Sequence, residues 1–126
     1  MLNIKKTLTK VLDALKYDYI VEQGTSGIWT YRKWNSGIAE CWGAYQFASA
    51  SFSATGQVYY RLIGAISFPS GLFVALPYTE CSVQMGNPGG CSITNLSTSS
   101  VTIGVLSSVS TQRDGRIYIR ANGTWK

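Results

Sequence analysis

Carboxylates are the side chains of this sequence that could take part in catalysis, because a pair of acids can cleave a glycan. From residue 17 onward the acids are Asp18, Glu22, Glu40, Glu80 and Asp114. None of them lies in a recognisable catalytic motif, and Glu40 has a simpler role as the partner of an arginine. Histidine is absent, which removes the commonest general base and the commonest metal ligand. The sequence therefore predicts no enzymatic activity, no cofactor and no metal site.

The three cysteines are not expected to carry out a reaction or to form a set of disulfides. Cys41, Cys81 and Cys91 are odd in number and have no Cys-x-x-Cys spacing, so a disulfide framework is not predicted. Free thiols packed in a core are the simpler interpretation. A bridge between Cys81 and Cys91 is the alternative.

Aromatic side chains are the remaining candidates for a binding site. Sugar sites commonly place indole or phenol rings against the apolar faces of pyranoses, while Arg, Asn, Asp or Glu bind the hydroxyls. An aromatic residue in an alternating strand can equally belong to a core or a subunit interface. We interpret residues 87–90 and 111–115 as polar loops, where ligands are usually held. The predicted ligand-binding residues are Trp34, Trp42, Tyr78, Asn87, Arg113 and Asp114.

The element that organises these residues is a predicted hairpin over residues 28–43, which holds three of the four tryptophans. Two alternating runs flank Asn35-Ser36-Gly37, which is typical of a tight loop with glycine at positive φ. A three-residue loop would pair Arg32 with Glu40 between the indoles of Trp34 and Trp42 on one face. On the other face it would set Trp29 across from Gly43. A two-residue loop would break these pairs, because a one-residue slip moves each side chain to the opposite face.

Residues 1–16 show a different periodicity, which predicts a short α-helix. Apolar residues spaced four, three and four apart form a coiled-coil seam, and this seam consists of Ile4, Leu8, Val11 and Leu15. Leucines alternating with β-branched residues favour a coiled coil of three or four helices over one of two. The alternative is an amphipathic helix packed on its own domain, with Leu12 widening the apolar stripe.

Short β-strands are predicted throughout the rest of the chain. Roughly nine of them, at spacings of ~8–12 residues, indicate an antiparallel β-sandwich, jelly roll or barrel. The predicted strands include residues 57–68, with apolar residues on both faces, residues 72–76, and a hairpin formed by residues 91–96 and 101–106. We therefore predict a mainly β, jelly-roll-like sandwich at residues 17–126 on a helical segment at residues 1–16, assembling as a trimer.

The charge distribution argues against nucleic acid as a partner. The net charge is +5, but residues 1–16 hold four lysines against one aspartate, and the remainder holds seven basic and five acidic residues. No basic stripe is left to follow a phosphate backbone. No apolar run approaches the length of a membrane span, and no export signal is evident. We expect a soluble protein made in the cytoplasm without a signal peptide.

The hairpin also carries a family resemblance. The segment Y-I-V-E-Q-G at residues 19–24, followed by W-T-Y-R-K-W-N-S-G-I-A-E-C-W-G at residues 29–43, resembles C-terminal domains of tail-fibre or minor tail proteins. These proteins belong to phages and prophages of Gram-positive gut bacteria. The closing R-I-Y-I-R-A-N-G-T-W at residues 116–125 is similar to the last strands of the same kind of domain.

The resemblance implies a homotrimeric tip domain on a helical stalk in the virion tail. Its partners would be other tail proteins and a bacterial surface saccharide or protein. One alternative function is a structural virion protein without receptor binding, such as a head fibre, baseplate part or trimerisation cap. Another is a carbohydrate-binding module of a secreted enzyme.

Overall fold

The computed structural model describes residues 4, 5 and 17–126, except for the side chains of residues 49, 112 and 113. Of the predicted helix, Ile4 and Lys5 have helical backbone and exposed side chains. Leu8, Val11 and Leu15 lie outside the described residues, so the trimer seam and the boundary at residue 16 stay predictions. Within the described part, no helix has the length and apolar character needed to cross a membrane.

The described chain folds into two antiparallel sheets that enclose one core, which confirms the predicted mainly β, antiparallel fold. The strands are β1 (Ile20–Ser26), β2 (Trp29–Trp34), β3 (Ile38–Ser51), β4 (Ser53–Thr55), β5 (Val58–Ser67), β6 (Tyr78–Met85), β7 (Gly89–Leu96), β8 (Ser100–Ser107) and β9 (Thr111–Thr124). The order is β1-β2-β3-β9-β6 in the first sheet and β4-β5-β8-β7 in the second. The longest of the described strands are β3 and β9, at 14 residues each.

The strand pairs are nested within one another. β3 pairs with β9 and β5 pairs with β8, while the consecutive strands β6 and β7 add to β9 and β8. The predicted hairpin of residues 91–96 and 101–106 corresponds to β7 and β8 and is confirmed. Such nesting is typical of jelly-roll sandwiches.

The central hairpin has the predicted register. Its loop is Asn35-Ser36-Gly37, and φ of Gly37 is 102°, a value that L side chains rarely adopt. Arg32 pairs with Glu40, and Trp29 pairs with Gly43. The Trp29 ring covers the glycine, since a Cβ built on Gly43 would lie 3.3 Å from Trp29 Cε3.

The face of the hairpin that carries Trp29 is the core face. The indole is 2% exposed, and its Nε1 donates a hydrogen bond to the Ser67 carbonyl at 2.6 Å. Its ring centroid lies 5.4 Å from that of Phe68, which in turn meets Phe73 edge-on at 5.2 Å. These three rings close one end of the sandwich.

Two segments differ from the predicted strands. The strand predicted at residues 72–76 is wrong, because this segment is a loop in which Leu72 and Phe73 are buried. Its apolar residues fill the end of the core instead of alternating across a sheet. The backbone of residues 48–51 continues β3, and Ala48, Ala50 and Ser51 pair with the first residues of β9.

The second sheet presents an apolar outer surface, hereafter the apolar face, formed by Val58, Leu62 and Leu106. Their side chains are 40%, 53% and 43% exposed. The pairing of β5 with β8 shifts between Ile63 and Ile66. Both isoleucines are therefore buried, although simple alternation puts them on opposite faces. Apolar residues thus lie on both faces of β5, as predicted, and those on this outer face are exposed.

The hairpin loop also joins the two ends of the described domain. The N–H of Asn35 donates to the Tyr19 carbonyl at 2.8 Å, and the N–H of Trp125 donates to the Gly37 carbonyl at 2.9 Å. Trp125 Nε1 donates to the Trp34 carbonyl at 2.7 Å. The segments before β1 and after β9 are therefore held side by side.

Replacing Gly43 with alanine should test the contact between the hairpin and the core. The new Cβ would overlap the backbone carbonyl oxygen of Ile28, and backbone cannot move aside as a flexible side chain can. We expect Gly43→Ala to lower the free energy of unfolding by about 1–3 kcal/mol, the usual cost of overpacking. Denaturant unfolding measures it. The matched control is Gly90→Ala, where no atom lies within 4 Å of the new Cβ, and equal losses in both variants would contradict the argument.

The Asp18 carboxylate should make stability depend on pH. The Ser36 hydroxyl donates to it, and so do the N–H groups of Ser36 and Tyr19. The Ser36 hydroxyl is the largest cause that lowers the pKa of Asp18 from its ordinary value of 3.8. Because the folded pKa is lower than the unfolded one, this stabilisation is fully present above pH 3.8 and is lost as the pH falls through the folded pKa.

We therefore expect Asp18→Asn to lower the thermal midpoint at neutral pH and the difference from the parent to vanish in strong acid. Thermal unfolding of both proteins across this range measures the effect. Ser36→Ala is the control, because Asp18→Asn should cost less in a chain that already lacks the hydroxyl. A difference that is independent of pH would contradict the assigned role.

Candidate functional site

The outer face of the five-stranded sheet carries most of the polar and aromatic side chains of the hairpin. Core residues such as Cys41, Ile117 and Ala121 alternate with them along the strands, so every second residue points away from the core. The residues of this outer face on β2, β3, β9 and β6 include Thr30, Arg32, Trp34, Glu40, Trp42, Ala44, Gln46, Asp114, Arg116, Tyr118, Arg120, Asn122, Tyr78, Glu80, Ser82 and Gln84.

One cluster on this face is the predicted ion pair between two indoles. Arg32 Nη1 lies 3.9 Å from Glu40 Oε1, and Trp34 Nε1 donates to the same oxygen at 3.4 Å. The Arg32 guanidinium carbon lies 5.1 Å from the ring centroid of Trp42, within the range of a cation–π contact. The prediction of an Arg/Glu pair bracketed by two tryptophans is thus confirmed.

A groove of about 610 Å³ opens beside Trp42. On β3 the indole is followed two residues later by Ala44, whose small side chain leaves space next to the ring. Across the sheet, Trp42 pairs with Arg120 and Ala44 pairs with Tyr118. Arg120 pairs in turn with Glu80 on the edge strand β6. The lining residues are Trp42, Gly43, Ala44, Glu80, Cys81, Ser82, Tyr118, Ile119 and Arg120.

The polar groups beside the groove differ in whether they are already engaged. The Tyr118 hydroxyl donates to Gln84 Oε1 at 3.0 Å, which directs this ring toward Gln84 and away from Trp42. Among the described residues, neither the Arg120 guanidinium nor the Glu80 carboxylate has an ion-pair or hydrogen-bond partner. A strong donor and a strong acceptor therefore stand next to each other, open to a ligand.

A second, smaller cavity of about 390 Å³ continues along the same face. It lies near the N-terminal end of β9, where Asp114 and Arg116 line it. Gln46 on β3 and Gln84 on β6 border it on either side. The outer face therefore offers a polar track that runs along β9.

The predicted ligand-binding residues do not form one cluster. Trp34, Trp42 and Tyr78 share the outer face, and Tyr78 is 71% exposed. Asp114 faces the same way, but it lies eight residues from Asn122, the partner of Tyr78, which is about 26 Å along the strand.

The remaining predicted residues lie elsewhere or cannot be placed. Asn87 is exposed in the turn between β6 and β7, and the side chain of Arg113 lies outside the described residues. The interpretation of residues 111–115 as a loop is wrong, because they begin β9 and pair with the end of β3. Gly89 and Gly90 likewise begin β7.

Sequence reasoning missed Arg120, Glu80 and Ala44 as neighbours of Trp42. Alternation in R-I-Y-I-R-A-N at residues 116–122 does place Arg116, Tyr118 and Arg120 on one face. It does not reveal that this face continues that of Trp42, because the partner strand is more than 70 residues away in the chain.

All three cysteines are free thiols, and they lie on the core side. Burial raises the pKa of the Cys41 thiol to about 12. Burial, aided by a hydrogen bond with Cys91, also raises the pKa of the Cys81 thiol to about 12. Cys41 and Cys81 are therefore protonated at neutral pH, which fits a packing role. In the described part of the chain, no three His, Cys, Asp or Glu side chains are grouped to hold a metal ion.

Comparison with known proteins gives matches at the level of structure. No family model matches the sequence, and no curated protein matches it. The fold is similar to an N-truncated R1-type pyocin tail fibre, with 14% identity, coverage of 97% of this chain and 98% of that chain, and a TM-score of 0.63.

Two longer proteins contain a similar domain. The C-terminal part of the R1 pyocin fibre of P. aeruginosa matches with 13% identity over 98% of this chain and 32% of that chain, with a TM-score of 0.57. The tailspike of Pseudomonas phage phi297 matches with 10% identity over 69% of this chain and 16% of that chain, with a TM-score of 0.50. The chain therefore has a fold similar to that of a domain found in R1 pyocin tail fibres and in a phage tailspike.

The contact between Arg32 and Trp42 should be measurable as a coupling. We expect Arg32→Gln to lower the free energy of unfolding by about 0.5–1 kcal/mol, because it removes a cation–π contact and an ion pair at a partly exposed site. In a Trp42→Leu background the same change should cost less, and denaturant unfolding of the four proteins gives the difference. Arg116→Gln on the same face is the control. A zero coupling would show that the two side chains merely lie close together.

Proposed function

We propose that this chain is a non-enzymatic tail-fibre domain that attaches a phage or prophage-encoded particle to a bacterial surface saccharide or protein. The observation that carries the proposal is the match with the R1-type pyocin fibre, which extends over nearly the whole of both chains. The aromatic and polar outer face supports attachment, because such surfaces are suited to polyhydroxylated ligands. In this proposal the protein resides in the virion tail, next to other tail proteins, and is made in the bacterial cytoplasm without a signal peptide.

We further propose that the domain is a homotrimer and that residues 1–16 form its helical stalk. The apolar face supports association, because Val58, Leu62 and Leu106 are exposed on one sheet surface. Among the described residues of this surface none is charged, so a second copy could cover it without desolvating a charge. The seam of Ile4, Leu8, Val11 and Leu15 would continue the same association. A host among Gram-positive gut bacteria is proposed from the sequence resemblance.

The mass in solution tests the assembly. We expect light scattering to give three times the mass of one chain. The variant Leu62→Asp should give a smaller mass, because it places a charge on the proposed interface. Thr98→Asp, at an exposed turn residue, is the control and should remain trimeric. A parent protein that is a monomer in dilute solution would contradict the trimer and favour a stand-alone carbohydrate-binding module.

Binding to bacterial cells tests attachment separately. We expect the fluorescently labelled full chain to stain the surface of a subset of Gram-positive gut bacteria, and the staining to saturate with concentration. Unlabelled protein should compete for the sites. A stable trimer that stains none of the bacteria would support the alternative of a structural virion part, such as a head fibre, baseplate component or trimerisation cap.

A further inference from the structure

We propose that the groove beside Trp42 binds an uncharged pyranose, stacked on the Trp42 indole and hydrogen-bonded by Arg120 and Glu80. The inference rests on the proposed attachment function and adds the location of the site and the chemical class of its ligand. It differs from the set of residues expected from the sequence, because Arg120 and Glu80 were not among them.

The stacking surface is the part of the Trp42 indole that borders the groove. The ring is also held in position, because the Arg32 guanidinium lies 5.1 Å from its centroid. Ala44 follows on the same face of β3, and a larger residue there would fill the space next to the ring. The groove therefore combines an aromatic ring held by Arg32 with an open volume beside it. The volume of about 610 Å³ is within the ordinary range for small-ligand sites.

The hydrogen-bonding groups stand in line with the indole. Trp42 on β3 pairs with Arg120 on β9, and Arg120 pairs with Glu80 on β6, so the three residues form a row across the sheet. Directly paired residues on neighbouring strands have Cα atoms about 4.5–5.5 Å apart, so both polar ends can reach one sugar ring. The guanidinium supplies only donors and the carboxylate only acceptors. A pair of neighbouring hydroxyls, each of which can donate and accept, satisfies both groups.

Charge balance selects an uncharged ligand. Arg32 is already paired with Glu40, so it adds no free positive charge to the groove. Arg120 and Glu80 carry opposite charges at adjacent positions and leave no excess of either sign. An acidic sugar would be attracted by Arg120, but it would place its carboxylate near that of Glu80, and like charges at this range are unfavourable. The site thus favours a neutral sugar over the corresponding uronic acid.

The orientation of Tyr118 keeps the groove open. Its hydroxyl is bonded to Gln84, which draws the ring toward the second cavity. Tyr118 therefore borders the far side of the groove rather than covering Trp42. A chain of sugar units leaving the groove in this direction would pass over Gln84 and Arg116, which line the second cavity.

Saturation-transfer NMR on the 126-residue chain tests the proposal. The probes are methyl glycosides of glucose, galactose, mannose and N-acetylglucosamine, together with the methyl glycosides of glucuronic and galacturonic acid. We expect at least one neutral probe to bind, with an affinity at least about tenfold higher than that of either acidic probe. Trp42→Ala should weaken binding by about tenfold or more, and Trp42→Phe, which keeps a smaller ring, should fall between it and the parent.

Charge variants test the selectivity. Glu80→Gln should reduce the preference for the neutral sugar over the acid, because it removes the repelling carboxylate. Arg120→Gln should weaken binding of both. Tyr17→Ala, at an exposed aromatic residue at the start of the described domain, should leave binding unchanged. Thermal unfolding of each variant shows whether it is folded, and a folded Trp42→Ala that binds as tightly as the parent overturns the proposal.

The same variants separate this proposal from the function on which it rests. If the parent stains bacterial cells but no neutral probe gives a signal that depends on Trp42, the groove assignment is overturned and attachment stands. If the acidic probes bind more tightly than the neutral ones, the proposed ligand class is overturned. If the parent stains no cells although the groove binds a neutral sugar, attachment fails and the groove assignment stands.

Discussion

The three-residue loop of the β2–β3 hairpin is the constraint on which the rest of the structure depends. It fixes which residues of the two strands face each other, and therefore which side chains enter the core. With Gly37 at positive φ, Trp29 points inward and Trp42 points outward. A slip of one residue in β3 would turn the Trp42 indole into the core and expose Cys41 and Ala39. The packing of the core and the composition of the outer face are thus decided by the same few backbone angles.

Strand β9 carries this register across the sheet. It pairs with β3 over its length on one side and with β6 on the other, so a residue of the edge strand β6 is aligned with the hairpin only through β9. Glu80 can therefore stand in line with Trp42 although the two strands do not touch. Close packing also fixes β9 against β3 near its N-terminal end, where a Cβ on Gly115 would overlap the Phe47 ring. A bulge in β9 between Gly115 and Arg120 would move Arg120 and Glu80 relative to the Trp42 indole.

Local pattern was sufficient for the hairpin because its pairing depends on a loop of three adjacent residues. The register, the Arg32–Glu40 pair and the cover of Gly43 by Trp29 could all be predicted from alternation and loop length. The partners of β9 could not, because pairing between residues that lie far apart in the chain leaves no local signal. For the same reason residues 111–115 resembled a loop, although β3 supplies their hydrogen bonds. The irregular pairing of β5 near Gly64 also escaped prediction, since alternation alone assumes an unbroken strand. Burial of Leu72 in a loop looks the same in sequence as burial in a strand.

The meeting of both ends of the described domain at the hairpin loop has a mechanical consequence. A pull on the chain before residue 18 reaches the sheet through Asp18 and Tyr19, which hold Ser36 and Asn35, and then through β1. Because the hydrogen bonds between antiparallel strands run perpendicular to the strands, a pull along the axis of β1 loads those to β2 together, in shear. The same force across the sheet would open them one at a time, from the edge. The domain therefore resists tension along β1 better than it resists peeling across the sheet.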